Sequence, residues 1–265
     1  MKAIELFRSL KSDNISGAST LLQKTVDGLQ KLDGSELSKF IDLLPETHPS
    51  MAPILSLWQA LKNAVETGAS REEILQRAMD FLETASNSRE ATVRLAVEKL
   101  STCRNVVTIS HSSLVEAALV QLSKNPKLHV VVGESRPMRE GINLARVLHS
   151  SGIKVTLVVD MAAVYMVKDA DCVVVGADAV TPDSVINKVG TFALALAARE
   201  YRKPVFVLAS VDKFLCGSAA ERLVIPTRDP SEIVENVDFE VRNFYFDVTP
   251  RRWVEIVSDS PQSCD

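Results

Sequence analysis

Residues 105–133 read NVVTISHSSLVEAALVQLSKNPKLHVVVG. The two ends of this stretch, NVVTIS and LHVVVG, are short apolar runs rich in β-branched residues, the pattern of strands buried on both faces. Between them Ser113 to Ser123 has helical length and composition. Strand, helix and strand in succession make a crossover, and a crossover makes the two strands parallel. The unit recurs downstream: KVTLVV at 154–159, CVVVGA at 172–177 and PVFVLA at 204–209 are further strands, while Glu140 to Ser150 and Asn187 to Tyr201 read as helices. The fold class expected after about residue 104 is therefore α/β, a parallel sheet covered on both faces.

Upstream the period changes. Ile54, Leu57, Trp58, Leu61 and Val65 follow the i, i+3, i+4 spacing of one buried helix face, as do Leu22, Val26 and Leu29. Ser70 with Glu73 is a capping box that opens a helix through Ile74, Leu75, Ala78 and Leu82. His48 to Pro53 separates two helices, because each proline disfavours helix just before it. The expected organisation is a helical domain over residues 1–100 and an α/β domain over 101–265. No Pro/Gly linker occurs at 98–105, so the last N-terminal helix is expected to run straight into the second domain.

Composition narrows the function. The 265 residues are 46% apolar and carry a formal net charge of -4, which excludes disorder as the main state. A pI of 5.7 argues against nucleic acid as a partner. The most apolar run, Val155 to Val167, is cut by Asp160, and a membrane span takes roughly 20 apolar residues. The N-terminal MKAIELFRSLKSD lacks a long apolar stretch and is not read as a secretory signal. Cys103, Cys172, Cys216 and Cys264 lie far apart, giving neither a zinc site nor a disulfide framework. The first three read as small core residues, and the expected location is cytoplasmic with reduced thiols.

Ligands of open parallel sheets collect beyond the carboxyl ends of the strands. Those ends carry Ser110-His111-Ser112-Ser113, Glu134-Ser135-Arg136-Pro137, Asp160, and Gly176-Ala177-Asp178 followed by Asn187-Lys188-Val189-Gly190-Thr191. There is no G-x-G-x-x-G and no Walker lysine motif, so neither a dinucleotide cofactor nor a P-loop is expected. Helix N-termini with Arg136 and Lys188 suit a phosphate, and a carboxylate such as Asp178 suits proton transfer. The chemistry is that of a small phosphorylated metabolite.

The segments ESRPMREG, VTLVVDMA, VVVGADAV and VINKVGT, in this order and followed by FDVTP, resemble one superfamily. It comprises the α, β and δ subunits of eukaryotic translation initiation factor 2B, archaeal ribose-1,5-bisphosphate isomerase and methylthioribose-1-phosphate isomerase. The resemblance is specific across residues 105–250 and weaker in the helical half. It implies a helical domain followed by a Rossmann-like domain, and homodimers or larger homo-oligomers; no cofactor and no metal are expected. It also puts Asp178 at the position of the isomerases' catalytic aspartate, which works there with a cysteine at the end of the first strand. His111 falls near the place of that cysteine, with Ser112 and Ser113 after it. Ile15-Ser16-Gly17-Ala18 occupies the place of the isomerases' Arg-Gly-Ala phosphate motif, so Gly17 and Ala18 are retained while the arginine is Ser16. The segment between Gly176 and Asn187 is about one residue short and lacks the usual Asn-Gly.

The site expected is thus Asp178 and His111 as proton-transfer groups, with Gly17, Ala18, Ser112, Ser113, Arg136, Asp160, Asn187 and Lys188 holding phosphate and sugar hydroxyls. Each has a plainer reading. Asp178 can cap a turn, and Asn187 and Lys188 can open a helix. Arg136 can pair with Glu134 or Glu140, His111 can be a packing residue, and Asp160 can anchor the 178–191 loop. At the level of function, an aldose–ketose isomerase of sugar phosphates stands beside two alternatives: a non-catalytic subunit that senses a sugar phosphate or nucleotide, and a purely scaffolding subunit.

Overall fold

The computed structural model describes residues 1–13 and 17–259; Ser16 and Cys264, both used in the sequence reading, lie outside them. The chain divides into two compact units. The first comprises the described residues of 1–88 and 211–224; the second comprises those of 89–210 and 225–259.

The first unit is helical: α1 (Ala3–Lys11), α2 (Ala18–Leu29), α3 (Gly34–Leu43), α4 (Ala52–Glu66) and the first part of α5 (Arg71–Leu100). The stripes expected from spacing form its core, with Leu22, Val26, Leu29, Ile54, Leu57, Trp58 and Leu61 all buried. The capping box is present as read, since Ser70 N–H donates to Glu73 Oε2 at 2.7 Å and Glu73 N–H to Ser70 Oγ at 3.2 Å. Residues 211–224, which include a short helix, return to this unit; there the Ser56 hydroxyl donates to the Phe214 carbonyl at 2.8 Å. Cys216 in this segment is disulfide-bonded, which corrects its reading as a free core thiol.

Five strands of the second unit are those expected: β1 (Asn105–Ile109), β2 (His129–Gly133), β3 (Lys154–Val158), β4 (Cys172–Gly176) and β7 (Val205–Leu208). Helices α6 (Ser113–Gln121), α7 (Glu140–Ser150), α8 (Asp160–Met166) and α9 (Thr191–Glu200) connect them. A sixth strand, β11 (Glu255–Val257), completes the order β11-β7-β4-β1-β2-β3, in which every pairing is parallel. Counted along the chain this is 3-2-1-4-5-6, the doubly wound order. Side-chain alternation splits the core between two faces. Val106, Val130, Val132, Cys172 and Val174 pack with α6, α7 and the end of α5. Helices α8 and α9 pack beside each other elsewhere on the sheet.

A small antiparallel sheet sits beside the main one: β5 (Ala179–Val180), β6 (Ser184–Lys188) and β10 (Phe246–Pro250), in the order β10-β6-β5. Asn187 and Lys188 are therefore strand residues, not the opening of a helix; α9 begins only at Thr191. The reason is pairing. Asn187 lies opposite Asp247 and Lys188 opposite Phe246, and this ladder outweighs the helical preference of the residues that follow.

Candidate functional site

The strand order reverses between β1 and β4, and the crevice beyond their carboxyl ends is the topological switch point. Two segments meet there. After β1 the chain turns sharply through Ser110, which takes the left-handed conformation at φ 64°. Ser112 then takes the N-cap position of α6, with no side-chain cap hydrogen bond, and Ser113 opens the helix. β4 ends on Gly176, where an added Cβ would fall 2.5 Å from Ser112 Oγ. The glycine is what lets the start of α6 approach the residues that lead to Asp178. Asp178 is half-buried, and its N–H donates to the Ile186 carbonyl at 2.9 Å, which ties this turn to β6.

The third wall is the segment after β2. Ser135, at φ 69°, accepts the Ser110 N–H at 2.6 Å on its hydroxyl and donates to the Gly133 carbonyl at 3.0 Å. Asp160, at the start of α8, accepts the N–H groups of Ser135 and Arg136 at 2.7 and 2.8 Å. It thus anchors the 135–136 turn rather than the 178–191 loop, a correction that follows from its place directly after β3, the neighbour of β2. The anchor leaves the Arg136 side chain exposed, and neither Glu134 nor Glu140 pairs with it. Gly141 lets α7 close on this turn: a Cβ there would lie 1.9 Å from the Gly133 carbonyl oxygen.

Lys188 stands at the end of β6 with its side chain only 3% exposed. Its Nζ donates to Glu140 Oε1 at 2.8 Å and lies 4.6 Å from the centre of the Tyr245 ring. The other carboxylate oxygen of Glu140 is buried without a hydrogen-bond partner. Asn187 donates its amide to Thr191 Oγ1 at 2.9 Å, and the Thr191 hydroxyl donates to the Lys188 carbonyl at 2.7 Å. Asp247 closes the loop from β10, accepting the N–H groups of Gly190 and Phe192 at 2.7 and 3.0 Å and so capping α9. Burial raises the Asp247 carboxyl above its usual value, with the two N–H donors pulling it back. Desolvation likewise raises the Tyr245 hydroxyl, which donates a hydrogen bond to the Glu232 carboxylate.

The second unit therefore gathers Ser112, Ser113, Arg136, Asp160, Asp178, Asn187 and Lys188 around the carboxyl ends of its sheet. His111 is there too, exposed, with its Nε2 against the Glu116 carboxylate. Gly17 and Ala18 belong to the first unit, where they form the N-cap and first residue of α2. Sequence reasoning missed Ser135 as a hinge of the β1 and β2 turns, Glu140 as the partner of Lys188, and Asp247 as a cap. The motifs ESRPMREG and FDVTP contain all three, but the motifs alone do not say which residues touch. Among the described residues, no group of three or more His, Cys, Asp or Glu could hold a metal ion, and no helix is long and apolar enough to cross a membrane.

Fold and site together define a doubly wound α/β protein with polar side chains gathered at the switch point of its sheet. The chain belongs to the initiation factor 2 subunit family, whose model matches residues 7–260. It is 30% identical to the ribose 1,5-bisphosphate isomerase of Archaeoglobus fulgidus over 276 residues, 97% of this chain and 87% of that protein. It is 34% identical to the ribose 1,5-bisphosphate isomerase of Haloferax volcanii, over 84% of this chain and 73% of the other. The solved structure of translation initiation factor eIF-2B from Pyrococcus horikoshii superposes with a TM-score of 0.78 at 28% identity, covering 97% of this chain and 94% of that one. The family resemblance read from the motifs is thus borne out, and with it the helical and parallel-sheet architecture.

Proposed function

We propose that the switch-point crevice binds a phosphorylated ribose-type metabolite and isomerises it between aldose and ketose. The observation that carries this reading is the close approach of the β1 and β4 ends, with Ser112 packed on Gly176 two residues before Asp178. Asp178 is the base that moves a proton between C1 and C2. His111 is the second proton-transfer group, an exposed imidazole set against the Glu116 carboxylate. Phosphate is held by the exposed guanidinium of Arg136 and by the free N–H groups at the start of α6, where Ser112 makes no side-chain cap. Asp160, Asn187 and Lys188 shape the pocket, Lys188 through its ion pair with Glu140. The protein is cytoplasmic and homodimeric in this reading, and family relatives named as ribose 1,5-bisphosphate isomerases support the substrate class.

The test is a proton-NMR time course with ribose 1,5-bisphosphate, then methylthioribose 1-phosphate, with Asp178→Asn alongside. Ketose is expected with wild-type protein, and a loss of about 10²-fold or more is expected in the variant. Line broadening of unchanged aldose would instead favour a non-catalytic sensor of the same sugars. Equal turnover by Asp178→Asn would end the catalytic assignment.

A further inference from the structure

At the opposite end of the sheet, Cys103 and Cys172 face each other across the first residues of β1 and β4. Both are free thiols and both are buried. Their sulfurs are 3.2 Å apart, against about 2.05 Å in a disulfide. The approach is held from outside the pair. Asp171 accepts the N–H groups of Arg104 and Asn105 at 2.7 and 2.8 Å, which clamps the segment carrying Cys103 onto the start of β4. Cys172 is fully enclosed, whereas Cys103 keeps 8% of its surface open, so a small oxidant reaches Cys103 first. We propose that Cys103 and Cys172 are a redox pair that a hydroperoxide converts into an intrachain disulfide.

The steps balance. The Cys103 thiolate attacks one peroxide oxygen, the O–O bond breaks, and Cys103 becomes a sulfenic acid as the departing oxygen takes a proton. Cys172 sulfur then attacks Cys103 sulfur; the S–O bond breaks, and hydroxide leaves as water with the Cys172 proton. Two thiols are oxidised and one peroxide is reduced. The Cys172 thiol donates to the Cys103 sulfur, which holds Cys103 below its usual value of 9.0 and so favours the thiolate that starts the sequence. Because the cysteines are 69 positions apart, the bond closes a long loop and ties together the two central strands that bound the crevice at their other ends.

The experiment uses the full chain, reduced, desalted and exposed to hydrogen peroxide, then alkylated and digested with trypsin. Cys103 and Cys172 fall on peptides 100–104 and 169–188, and Cys216 on 214–222, so the map separates them. The expected result is a linked 100–104/169–188 species two hydrogens lighter than the sum, and a melting temperature several degrees above that of the reduced protein. The melting comparison is made in Cys216→Ser, which removes the other cystine. In Cys172→Ser the link is absent, and a dimedone-reactive sulfenic acid collects at Cys103. Recovery of both cysteines as free thiols from peroxide-treated wild-type protein would overturn the proposal. The wild-type map needs no variant, so a misfolded substitution does not obscure it.

Discussion

Lys188 is the residue on which structural and functional demands meet. A cation buried this deeply is stable only with a partner, and Glu140 supplies one at 2.8 Å. Glu140 in turn has one buried oxygen with no partner, so removing the lysine strands a carboxylate with nothing to offset its desolvation. Lys188→Met is expected to cost about 3 kcal/mol in chemical denaturation, and Glu140→Gln added to it is expected to restore most of that loss. If Lys188→Met leaves the denaturation midpoint unchanged, the pair is not a structural unit, and the lysine is held for ligand alone. Sequence spacing could not report this partner. Lys188 and Glu140 are 48 positions apart, and no local pattern reports a contact across that distance.

At the scale of elements, the N-terminus of α9 is capped by a residue from another strand. Asp247 reaches it from β10 because β10 pairs with β6 in a register that puts Asp247 opposite Asn187, just ahead of the α9 start. Burial raises the Asp247 carboxyl from its usual 3.8, so the folded chain keeps this proton to higher pH than the unfolded chain does. The stability tied to this group is therefore complete below 3.8 and is lost as pH rises through the raised native value. Asp247→Asn keeps an acceptor for the two N–H groups and deletes the titration. Its urea midpoint is expected to gain on wild type as pH climbs through that window, and a constant difference across pH would refute the linkage. Asp171 has the opposite sign: its N–H donors from Asn105 and Arg104 lower its carboxyl, so its contribution is present above 3.8 and fades as pH falls through the lowered value.

For the molecule as a whole, the sequence revealed what repeats locally and missed what is joined at long range. Apolar runs marked five of the six parallel strands, and helical spacing marked the first unit's core. The sixth, β11, is three residues long, too short for a periodic signal, and the return of residues 211–224 to the helical unit has no signature of its own. Nor does the sequence show which apolar side chains remain outside. Helices α8 and α9 lie side by side and present Met161 at 72% exposure, Tyr165 at 64% and Leu196 at 50%, flanking an open groove of about 770 Å³. Large apolar side chains clustered this way on one face mark an association surface. A second copy of the chain is the occupant we propose, because a two-fold pairing lets one patch of this kind serve both partners. Light scattering coupled to gel filtration is expected to give a dimer at micromolar concentration. Leu196→Glu, which places a charge among the residues lining the groove, is expected to give a monomer with an unchanged far-UV spectrum. A wild-type monomer, or a Leu196→Glu dimer, would move the interface elsewhere.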